Sequence, residues 1–429
     1  MTRVEPVRAE SAHAHLRPGR VVIVNDASTA RGGATGLAIL SAELLTARGI
    51  PVTFIAGDDG VAERLRASGV EVIALGDKGL VAEKPVTAAA RGLYHRRARR
   101  ALAEWIARHD GPEVVYHLHG WSKILSPAVL DGLRPVATRT LIHAHDFFLA
   151  CPNGGFMDYR SGLPCKLVPL GADCLATNCD KRSYGQKLWR VARQGILRSR
   201  LKGAAWAEVL MIHAGMAPYL MMSGIEPGLL AALPNPSSAL VPGRVAAERN
   251  RDFLFIGRIE AEKGVEDAID AARLARVRLR VVGDGPLRES LAARFPEVDF
   301  LGWMSREEMA PIVAEARVLI MPSRYPEPYG LVVAEALRSG LPVILAETAL
   351  LSEQVVRQGI GLSCDTRDPA SLAAAICVLR DMPPAEMESI SRAAQSGVGE
   401  ISTTPEQWVE ALLRHYGAAL AASRCNRRP

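Results

Sequence analysis

Two glutamates near the C-terminal end of the sequence could do chemistry on a bound ligand. Glu327 and Glu335 stand eight positions apart, the first in a proline-rich turn and the second on a helix expected to begin at Gly330. Apolar runs at 318–321 and 342–346 flank them, as buried strands of a parallel sheet would. Such sheets bind ligands outside the carboxyl ends of their strands, and helix N-termini attract anions. The spacing therefore predicts a crevice that holds both carboxylates beside a phosphate group.

Two cations lie upstream in a glycine-bounded loop. Arg258 and Lys263 follow the apolar run at 252–256. Arginine offers a planar bidentate fork and lysine a compact positive charge, and together they suit a diphosphate. The alternative is a salt-bridged helix start with Glu260 and Glu262. The position of the two cations at a strand end, upstream of the glutamate pair, favours the diphosphate.

These motifs resemble the donor motifs of the retaining glycosyltransferases with the GT-B fold, of the family 4 type. The resemblance implies that Glu327 contacts the donor sugar and that Glu335 binds the nucleotide ribose. It also implies that Arg258 and Lys263 neutralise the β-phosphate as the sugar departs. Two departures from the family pattern are a Tyr at position 329, where Phe is commoner, and a bulkier loop after Ala346.

The resemblance assigns further donor-binding positions along the chain. Backbone groups of Trp303 and Met304 would lie beside the nucleobase, although Trp303 could equally be a core residue. The remaining positions are Gly32, Gly33, Gly283, Tyr329, Gly330 and Leu331. A dinucleotide fingerprint at the first glycines is the rival interpretation, but the G-x-G-x-x-G spacing is absent.

Histidines follow two of the predicted strands in the first half. The resemblance places His145 near the reacting sugar and acceptor, as a catalytic residue. His143 and Asp146 could control its tautomer or bind a metal, although a lone histidine is more often a structural residue. His117 and His119, at another strand end, could line the acceptor site.

Four cysteines lie in a Gly- and Pro-rich insertion at about 151–182: Cys151, Cys165, Cys174 and Cys179. Their spacing is not the two C-x2-C pairs typical of zinc sites. Some relatives with the resembling motifs carry a similar insertion. A structural zinc or iron–sulfur site and ordinary buried thiols both remain open.

The alternation of strands and helices predicts an α/β fold, and the resemblance implies two Rossmann-like domains that face a central cleft. We expect a disordered tail at 1–18, an acceptor domain at 19–240 that includes the insertion, and a donor domain at 241–404. A helix at 405–422 would cross back to the first domain, and 423–429 would be a tail.

Composition is that of an ordinary globular protein, with 48% hydrophobic and 23% charged residues in 429 positions. The N-terminal stretch lacks an apolar signal core, and no apolar run is long enough to span a bilayer, so we predict a cytoplasmic protein. Basic residues interleave with aromatic ones at 91–108 and 181–202. These segments could rest on the inner face of an anionic membrane or be ordinary surface helices.

The resulting hypothesis is sugar transfer from a nucleotide-diphosphate sugar to a glycan or lipid-linked acceptor, with retention, in cell-surface polysaccharide or glycolipid synthesis. No cofactor and no nucleic-acid partner are expected. Alternatives are a nucleotide-sugar epimerase or phosphorylase of the same fold, and a non-catalytic protein that binds sugar nucleotides or polymers. Intact carboxylates and cations favour the enzyme.

Overall fold

The computed structural model describes residues 16–29, 32–60 and 62–425. The strands, numbered along the chain, are β1 (Arg20–Asn25), β2 (Val52–Ala56), β3 (Glu71–Ala74), β4 (Val114–Leu118), β5 (Thr140–Ala144), β6 (Met157–Asp158), β7 (Leu163–Pro164), β8 (Glu208–Met211), β9 (Leu230–Ala232), β10 (Asp252–Ile256), β11 (Leu279–Val282), β12 (Asp299–Gly302), β13 (Ala316–Met321), β14 (Val343–Ala346) and β15 (Gly361–Cys364). The helices are α1 (Gly33–Ala47), α2 (Glu63–Ala67), α3 (Pro85–Leu93), α4 (Arg96–His109), α5 (Ala128–Leu133), α6 (Ala172–Ala176), α7 (Tyr184–Lys202), α8 (Ala217–Met221), α9 (Val265–Leu274), α10 (Arg288–Arg294), α11 (Arg306–Ala314), α12 (Leu331–Arg338), α13 (Ser352–Arg357), α14 (Pro369–Asp381), α15 (Pro384–Gly397) and α16 (Pro405–Cys425).

The first of two compact units comprises the chain up to Pro152, Leu188–Leu233 and the chain from Glu406. Its sheet has the order β3-β2-β1-β4-β5-β8-β9, and all neighbouring strands are parallel. The strand order reverses between β1 and β4, which makes the carboxyl ends of these strands a topological switch point. Of its strands, β8 and β9 were not predicted from the sequence.

The last helix packs into the core of this first unit. Trp408, Leu412 and Tyr416 lie one helical turn apart, so they share a face, and all three are fully buried in the core cluster that also contains apolar residues of β1 and β2. The helix continues to Cys425, so the tail expected from residue 423 is wrong for 423–425. Ser423 is buried there, with its Oγ 3.2 Å from Oγ1 of Thr138.

Both predicted tails lie largely outside the described residues, which exclude 1–15 and 426–429. Leu16, expected in the N-terminal tail, packs against the core of the first unit. The backbone N–H of Gly19 then donates to the carbonyl of Glu113 at 2.9 Å and leads the chain into β1.

The second unit comprises Asn153–Lys187 and Pro234–Pro405. Its main sheet has the order β12-β11-β10-β13-β14-β15 with parallel pairing throughout. Here the order reverses between β10 and β13. Strand β15 was not predicted, because its short Gly-Leu-Ser-Cys sequence lacks an apolar run.

The cysteine-containing insertion belongs to the second unit, whereas its sequence position predicts that it is part of the first domain. Residues 153–187 group with the main sheet of the second unit. Ion pairs hold the insertion to the second unit, because Lys181 Nζ contacts the carboxylates of Glu260 and Glu262 in the loop after β10. Sequence position alone could not show this placement.

The segment expected as a linker also packs on the second unit. The N–H of Leu240 donates to Oγ of Ser339 at 2.7 Å, and the N–H of Val245 donates to the Ser339 carbonyl at 2.7 Å. The unit therefore begins at Pro234 rather than at residue 241. The prolines and serines of this segment indicate irregular backbone, but they do not say which unit satisfies its hydrogen bonds.

Gly264 lies between the turn that carries Lys263 and helix α9. A substitution at this position tests how closely the turn passes the backbone of Pro322. Its φ is +68°, and an added Cβ would lie 2.1 Å from the carbonyl oxygen of Pro322. We expect Gly264→Ala to lower the free energy of unfolding by about 3 kcal/mol, from left-handed strain plus overpacking.

Gly359 is the matched control, with φ +64° and no atom within 4 Å of an added Cβ. Gly359→Ala should cost about 1 kcal/mol, since strain acts alone. Urea denaturation measures both variants. Equal losses of stability in the two variants would contradict the predicted overpacking, because they would show that the backbone at Pro322 moves aside for the added Cβ.

Candidate active site

Lys263 and Glu327 meet at the carboxyl ends of two neighbouring strands in the second unit. The loop after β10 carries Lys263, and the loop after β13 carries Glu327. Lys263 Nζ lies 2.5 Å from Oε2 of Glu327. Because the strand order reverses between these two strands, the ion pair occupies the position where open parallel sheets bind ligands.

Two hydroxyl groups complete the surroundings of Glu327. Tyr325 donates to Oε2 at 2.6 Å and Ser323 donates to the same oxygen at 3.0 Å. Lys263 in turn donates to the Tyr325 oxygen at 2.7 Å and lies 4.9 Å from its ring centroid. Tyr325 was not predicted from the sequence, although a tyrosine two residues before the glutamate in a proline-fixed turn was an available signal.

The electrostatics of this cluster favour a charged glutamate and a neutral tyrosine. Burial by itself would raise the pKa of Glu327, but the charge of Lys263, with hydrogen bonds from Lys263, Tyr325 and Ser323, holds that pKa below its usual value. Burial and the Glu327 carboxylate raise the pKa of Tyr325 well above normal. Tyr325 is therefore a hydrogen-bond donor at neutral pH.

Gly330 shapes the start of helix α12 beside this cluster. It caps the helix with φ +70°, and an added Cβ would lie 2.6 Å from Sδ of Met321. The helix that follows begins at Leu331, and the N–H of Val333 in its first turn donates to the carbonyl of Gly330 at 2.8 Å. A glycine is needed here because the chain must turn sharply between Glu327 and the helix.

Glu335 lies on helix α12 and is held by an arginine from another element. Arg306 Nη1 lies 2.9 Å from Oε1 of Glu335, and Nη2 of the same arginine donates to the carbonyls of Ser238 and Ala239. Burial raises the pKa of Glu335, and Arg306 opposes that effect. The structure records no direct contact between Glu335 and Glu327 among the described residues. Arg306 was not found by sequence reasoning, because nothing local links it to the glutamate.

Arg258 is an exposed cation at the edge of the same loop. Its side chain is 65% exposed and pairs with Glu260 at 2.5 Å. Arg258 thus makes a salt bridge that the alternative predicts, whereas Lys263 pairs with Glu327. Glu260 also lies 3.3 Å from Lys181 of the insertion. An incoming anion would therefore compete with one carboxylate for Arg258.

The predicted donor positions on neighbouring loops fall into different environments. Trp303 follows β12 and is 75% exposed, so the alternative that it is a core residue is wrong. Met304 beside it is half-buried. Gly283 follows β11, and an added Cβ would lie 1.9 Å from the carbonyl oxygen of Gly257, so only glycine fits.

Tyr329 is a structural anchor in this structure. Its hydroxyl is buried and lies 2.8 Å from the carbonyl of Asn235 and 2.9 Å from that of Ile401. The side chain predicted to bind the donor is therefore already engaged, and only its backbone could serve a ligand. The adjacent Leu331 is half-buried.

In the first unit, the predicted glycine pair lies at the N-terminus of helix α1, after strand β1. Among the described residues, no atom lies within 4 Å of a Cβ added at Gly32 or Gly33. Residues 30 and 31 of the same loop lie outside the described residues. Glycines without a side chain at this strand end suit close approach of a ligand to the backbone.

Four histidine rings stack at the carboxyl ends of β4 and β5 in the first unit. His117 Nε2 lies 3.2 Å from His143 Nδ1, and His119 Nδ1 lies 3.0 Å from His145 Nε2. Burial lowers the pKa of His145 to about 3 and lowers the other three well below normal, so all four rings are neutral. The predicted catalytic His145 is thus part of a network that the sequence did not reveal.

Among the described residues, His117, His119 and His143 are the group whose nitrogen atoms could share a metal ion, all within 4.8 Å of one another. Asp146 is not in that group. Burial raises its pKa to about 6, while its carboxylate accepts a hydrogen bond from the N–H of Phe148.

The cysteines are divided between the two units. Cys151 belongs to the first unit, and Cys165, Cys174 and Cys179 belong to the second. Lys187, only 1% exposed, places Nζ 3.1 Å from Sγ of Cys179 and 3.4 Å from Sγ of Cys174. A metal bound by all four cysteines stays a prediction.

Known proteins resemble this chain over both its sequence and its fold. Residues 250–381, which carry β10, β13 and both glutamates, match the family described as Glycosyl transferases group 1. The glycogen synthase of Mycobacterium tuberculosis is 35% identical over 321 residues, covering 67% of this chain and 70% of the relative. The chain belongs to the group 1 glycosyltransferases. A GDP-mannose-dependent phosphatidylinositol dimannoside mannosyltransferase from the same organism is 30% identical over 182 residues, 40% of this chain and 45% of the relative.

Solved structures agree on the fold of this glycosyltransferase. Sucrose-phosphate synthase from Thermosynechococcus elongatus superposes with a TM-score of 0.65 at 18% identity, over 95% of this chain and 98% of that one. Anabaena HepE in complex with UDP gives a TM-score of 0.63 at 16% identity, over 92% and 99%. The predicted GT-B fold class is confirmed. No helix in the described part of the glycosyltransferase is long and apolar enough to cross a membrane.

The Lys263–Glu327 pair predicts how stability of the glycosyltransferase depends on pH. Because the pKa of Glu327 is lowered, its ionised form adds stability above the ordinary value of 4.5, and that contribution is lost as pH falls. In Lys263→Met the buried carboxylate lacks its cation, so its pKa should rise. We expect this variant to lose about 3 to 5 kcal/mol of stability near neutral pH, and to lose progressively more as pH rises past 4.5.

Urea denaturation from about pH 4 to pH 8 measures this difference. The double variant Lys263→Met/Glu327→Gln is the control, because it removes the carboxylate and should remove the pH dependence. A pH-independent loss in Lys263→Met alone would contradict the assigned pairing.

Proposed function

We propose that this glycosyltransferase transfers a sugar from a nucleotide-diphosphate donor to a hydroxyl group with retention of anomeric configuration. The observation that carries the proposal is the Lys263–Tyr325–Glu327 cluster at the switch point of the second sheet. It joins a cation for the diphosphate to a carboxylate for the sugar. The glycogen synthase and mannosyltransferase relatives act on sugars, as their names state.

Stabilisation of the departing diphosphate is the main catalytic task. Lys263, the exposed Arg258 and the N–H groups that follow Gly330 would supply positive potential where charge develops. Glu335, oriented by Arg306, would accept hydrogen bonds from the ribose hydroxyls. Trp303 and Met304 would lie beside the base. That no metal is needed for departure stays a prediction.

The reaction needs no enzyme nucleophile in this scheme. The bond between the anomeric carbon and the diphosphate oxygen breaks, and its electron pair leaves with the diphosphate. The acceptor oxygen bonds to the same face of the anomeric carbon, and its proton passes to the departing diphosphate. Glu327 would orient the sugar hydroxyls, and His145 would contact the acceptor or the reacting sugar.

Two donors named with the similar proteins give a direct test, UDP-glucose and GDP-mannose. With either donor and an oligosaccharide or glycolipid acceptor, we expect nucleoside diphosphate release and an α-linked product. Lys263→Ala should lower turnover by about 100-fold, because it removes a charge-assisted contact to the leaving group. Coupled assays of the nucleotide measure the rate, and proton NMR of the product gives the linkage.

Lys166→Ala, at an exposed lysine of the same unit, is the matched control and should keep normal turnover. A β-linked product would overturn retention. Full turnover in the Lys263→Ala variant would overturn the assigned leaving-group site.

We further propose a lipid-linked or polysaccharide acceptor and peripheral contact with an anionic membrane. Val81 and Val86 on the first unit are 83% and 84% exposed, in a segment with exposed Lys78 and Lys84. Apolar side chains beside lysines suit an anionic lipid surface. The mannosyltransferase relative is named for a phosphatidylinositol acceptor, which supports a lipid acceptor.

Vesicle sedimentation tests the membrane part. We expect the native protein to bind anionic vesicles and not neutral ones, and Val81→Asp/Val86→Asp to weaken binding by about tenfold or more. Val356→Asp/Val378→Asp, two half-exposed valines of the second unit, is the matched control. Equal partitioning of the native protein into both vesicle types would remove the membrane from the proposal.

A further inference from the structure

Lys181 of the cysteine-containing insertion reaches the loop that carries Arg258 and Lys263. Both the insertion and this loop belong to the second unit. Lys181 Nζ lies 3.3 Å from Oε2 of Glu260 and also contacts Oε1 of Glu262. Oε1 of Glu260 pairs with Arg258 Nη1 at 2.5 Å. The two oxygen atoms of the Glu260 carboxylate are therefore divided between two cations from different segments of the chain.

The insertion holds Lys181 in place through hydrogen bonds of its own. The N–H of Tyr159 donates to the carbonyl of Cys179 at 3.2 Å, and the centroid of the Tyr159 ring lies 4.8 Å from Lys181 Nζ. On the other side, the buried Asp180 accepts a hydrogen bond from the N–H of Arg182 at 2.9 Å. Lys181 thus lies in an ordered turn, so its side chain loses less conformational entropy on pairing than an ordinary surface lysine would.

The burial of the two glutamates distinguishes this arrangement from an ordinary surface salt bridge. The side chains of Glu262 and Glu260 are 7% and 17% exposed, whereas their cationic partners are exposed. Burial raises the pKa of Glu260, as does its hydrogen bond with Glu262, and the two nearby cations oppose that rise. The carboxylates therefore depend on these cations, while Lys181 and Arg258 remain accessible to another anion.

Binding of a diphosphate at Arg258 would change the partners of Glu260. The guanidinium group would turn from this carboxylate to the ligand. A half-buried carboxylate that loses its cation keeps the cost of desolvation without the attraction that offsets it. With Lys181 in place, Glu260 keeps a cation on Oε2 while Arg258 leaves Oε1. Release of Arg258 to a ligand therefore costs less free energy when Lys181 is present.

We propose that Lys181 is a positioning residue of the diphosphate site, which acts through Glu260 by keeping this carboxylate paired while Arg258 binds the ligand. The inference rests on the proposed function, which assigns a diphosphate to Arg258. It gives the insertion a role in donor binding that its position in the sequence, before the main sheet of the second unit, does not indicate.

Two simpler uses of Lys181 make different predictions. In the first, the ammonium group contacts the diphosphate directly, so its loss weakens binding to the same extent with or without the Glu260 carboxylate. In the second, the lysine only fastens the insertion, so its loss lowers stability and Glu260 does not alter the effect on binding. A double-mutant cycle between Lys181 and Glu260 separates both from the proposed role.

Isothermal titration calorimetry of the full chain with UDP and with GDP measures this cycle. These are the nucleoside diphosphates of the two donors named above. We expect Lys181→Met to raise the Kd about tenfold in the otherwise native protein, because release of Arg258 then leaves Glu260 unpaired. In the Glu260→Gln background the same substitution should raise the Kd by about twofold at most, since no carboxylate remains to be paired. Glu260→Gln alone should lower the Kd about threefold, because Arg258 then has no anionic partner to leave.

Three further measurements act as controls. Lys181→Arg keeps the positive charge and should bind within about twofold of the native Kd. Glu297→Gln breaks an exposed ion pair of the same unit, 3.1 Å from Arg273, and should leave the Kd unchanged. Thermal melting without ligand checks that each variant is folded. If Lys181→Met does not fold, Glu260→Gln still decides the question, because it keeps Lys181 on Glu262 and must tighten binding.

Equal losses of affinity from Lys181→Met in the two backgrounds would overturn the proposal in favour of a direct contact or a structural role. An unchanged Kd in Lys181→Met, or unchanged or weaker binding in Glu260→Gln, would overturn it as well. A native protein that binds neither UDP nor GDP would instead count against the proposed function, and the role of Lys181 would fall with it.

Discussion

The buried ion pair between Lys263 and Glu327 is the constraint on which the proposed donor site depends. Removing two charges from water costs free energy that their attraction recovers only with good geometry and additional hydrogen bonds. Tyr325 and Ser323 supply those bonds. Because replacing such a pair with apolar residues is often neutral or stabilising, its presence points to function rather than to folding stability.

Backbone geometry brings the two charges together. Lys263 and Glu327 come from loops after different strands, so neither local sequence could place them alone. Gly264 and Gly330 hold left-handed conformations at the two helix starts, and at Gly264 a side chain would strike the backbone of Pro322. The loops therefore pass close to one another only because these positions carry no Cβ.

The two units use the same topological position for different chemistry. In the second unit the switch point carries a cation and a carboxylate, which suit a charged leaving group. In the first unit the strands next to the switch point carry neutral imidazoles, whose protons are set by hydrogen bonds rather than by pH. The insertion adds Lys181 to the carboxylates after β10, so the second unit draws on residues that precede its main sheet by more than sixty positions.

Sequence by itself determined the alternating α/β pattern, the second-unit strands β10 and β14, and the residue types at the site, since apolar runs and glycines are local signals. Only the tertiary structure decided which residues form ion pairs and hydrogen bonds with one another. It placed Arg306 on Glu335, Tyr416 on His117, and the insertion with the second unit, and it showed Tyr329 to be an anchor. These pairings join residues distant in sequence, and which distant groups satisfy a buried charge or hydrogen bond is settled by packing, which no local pattern encodes.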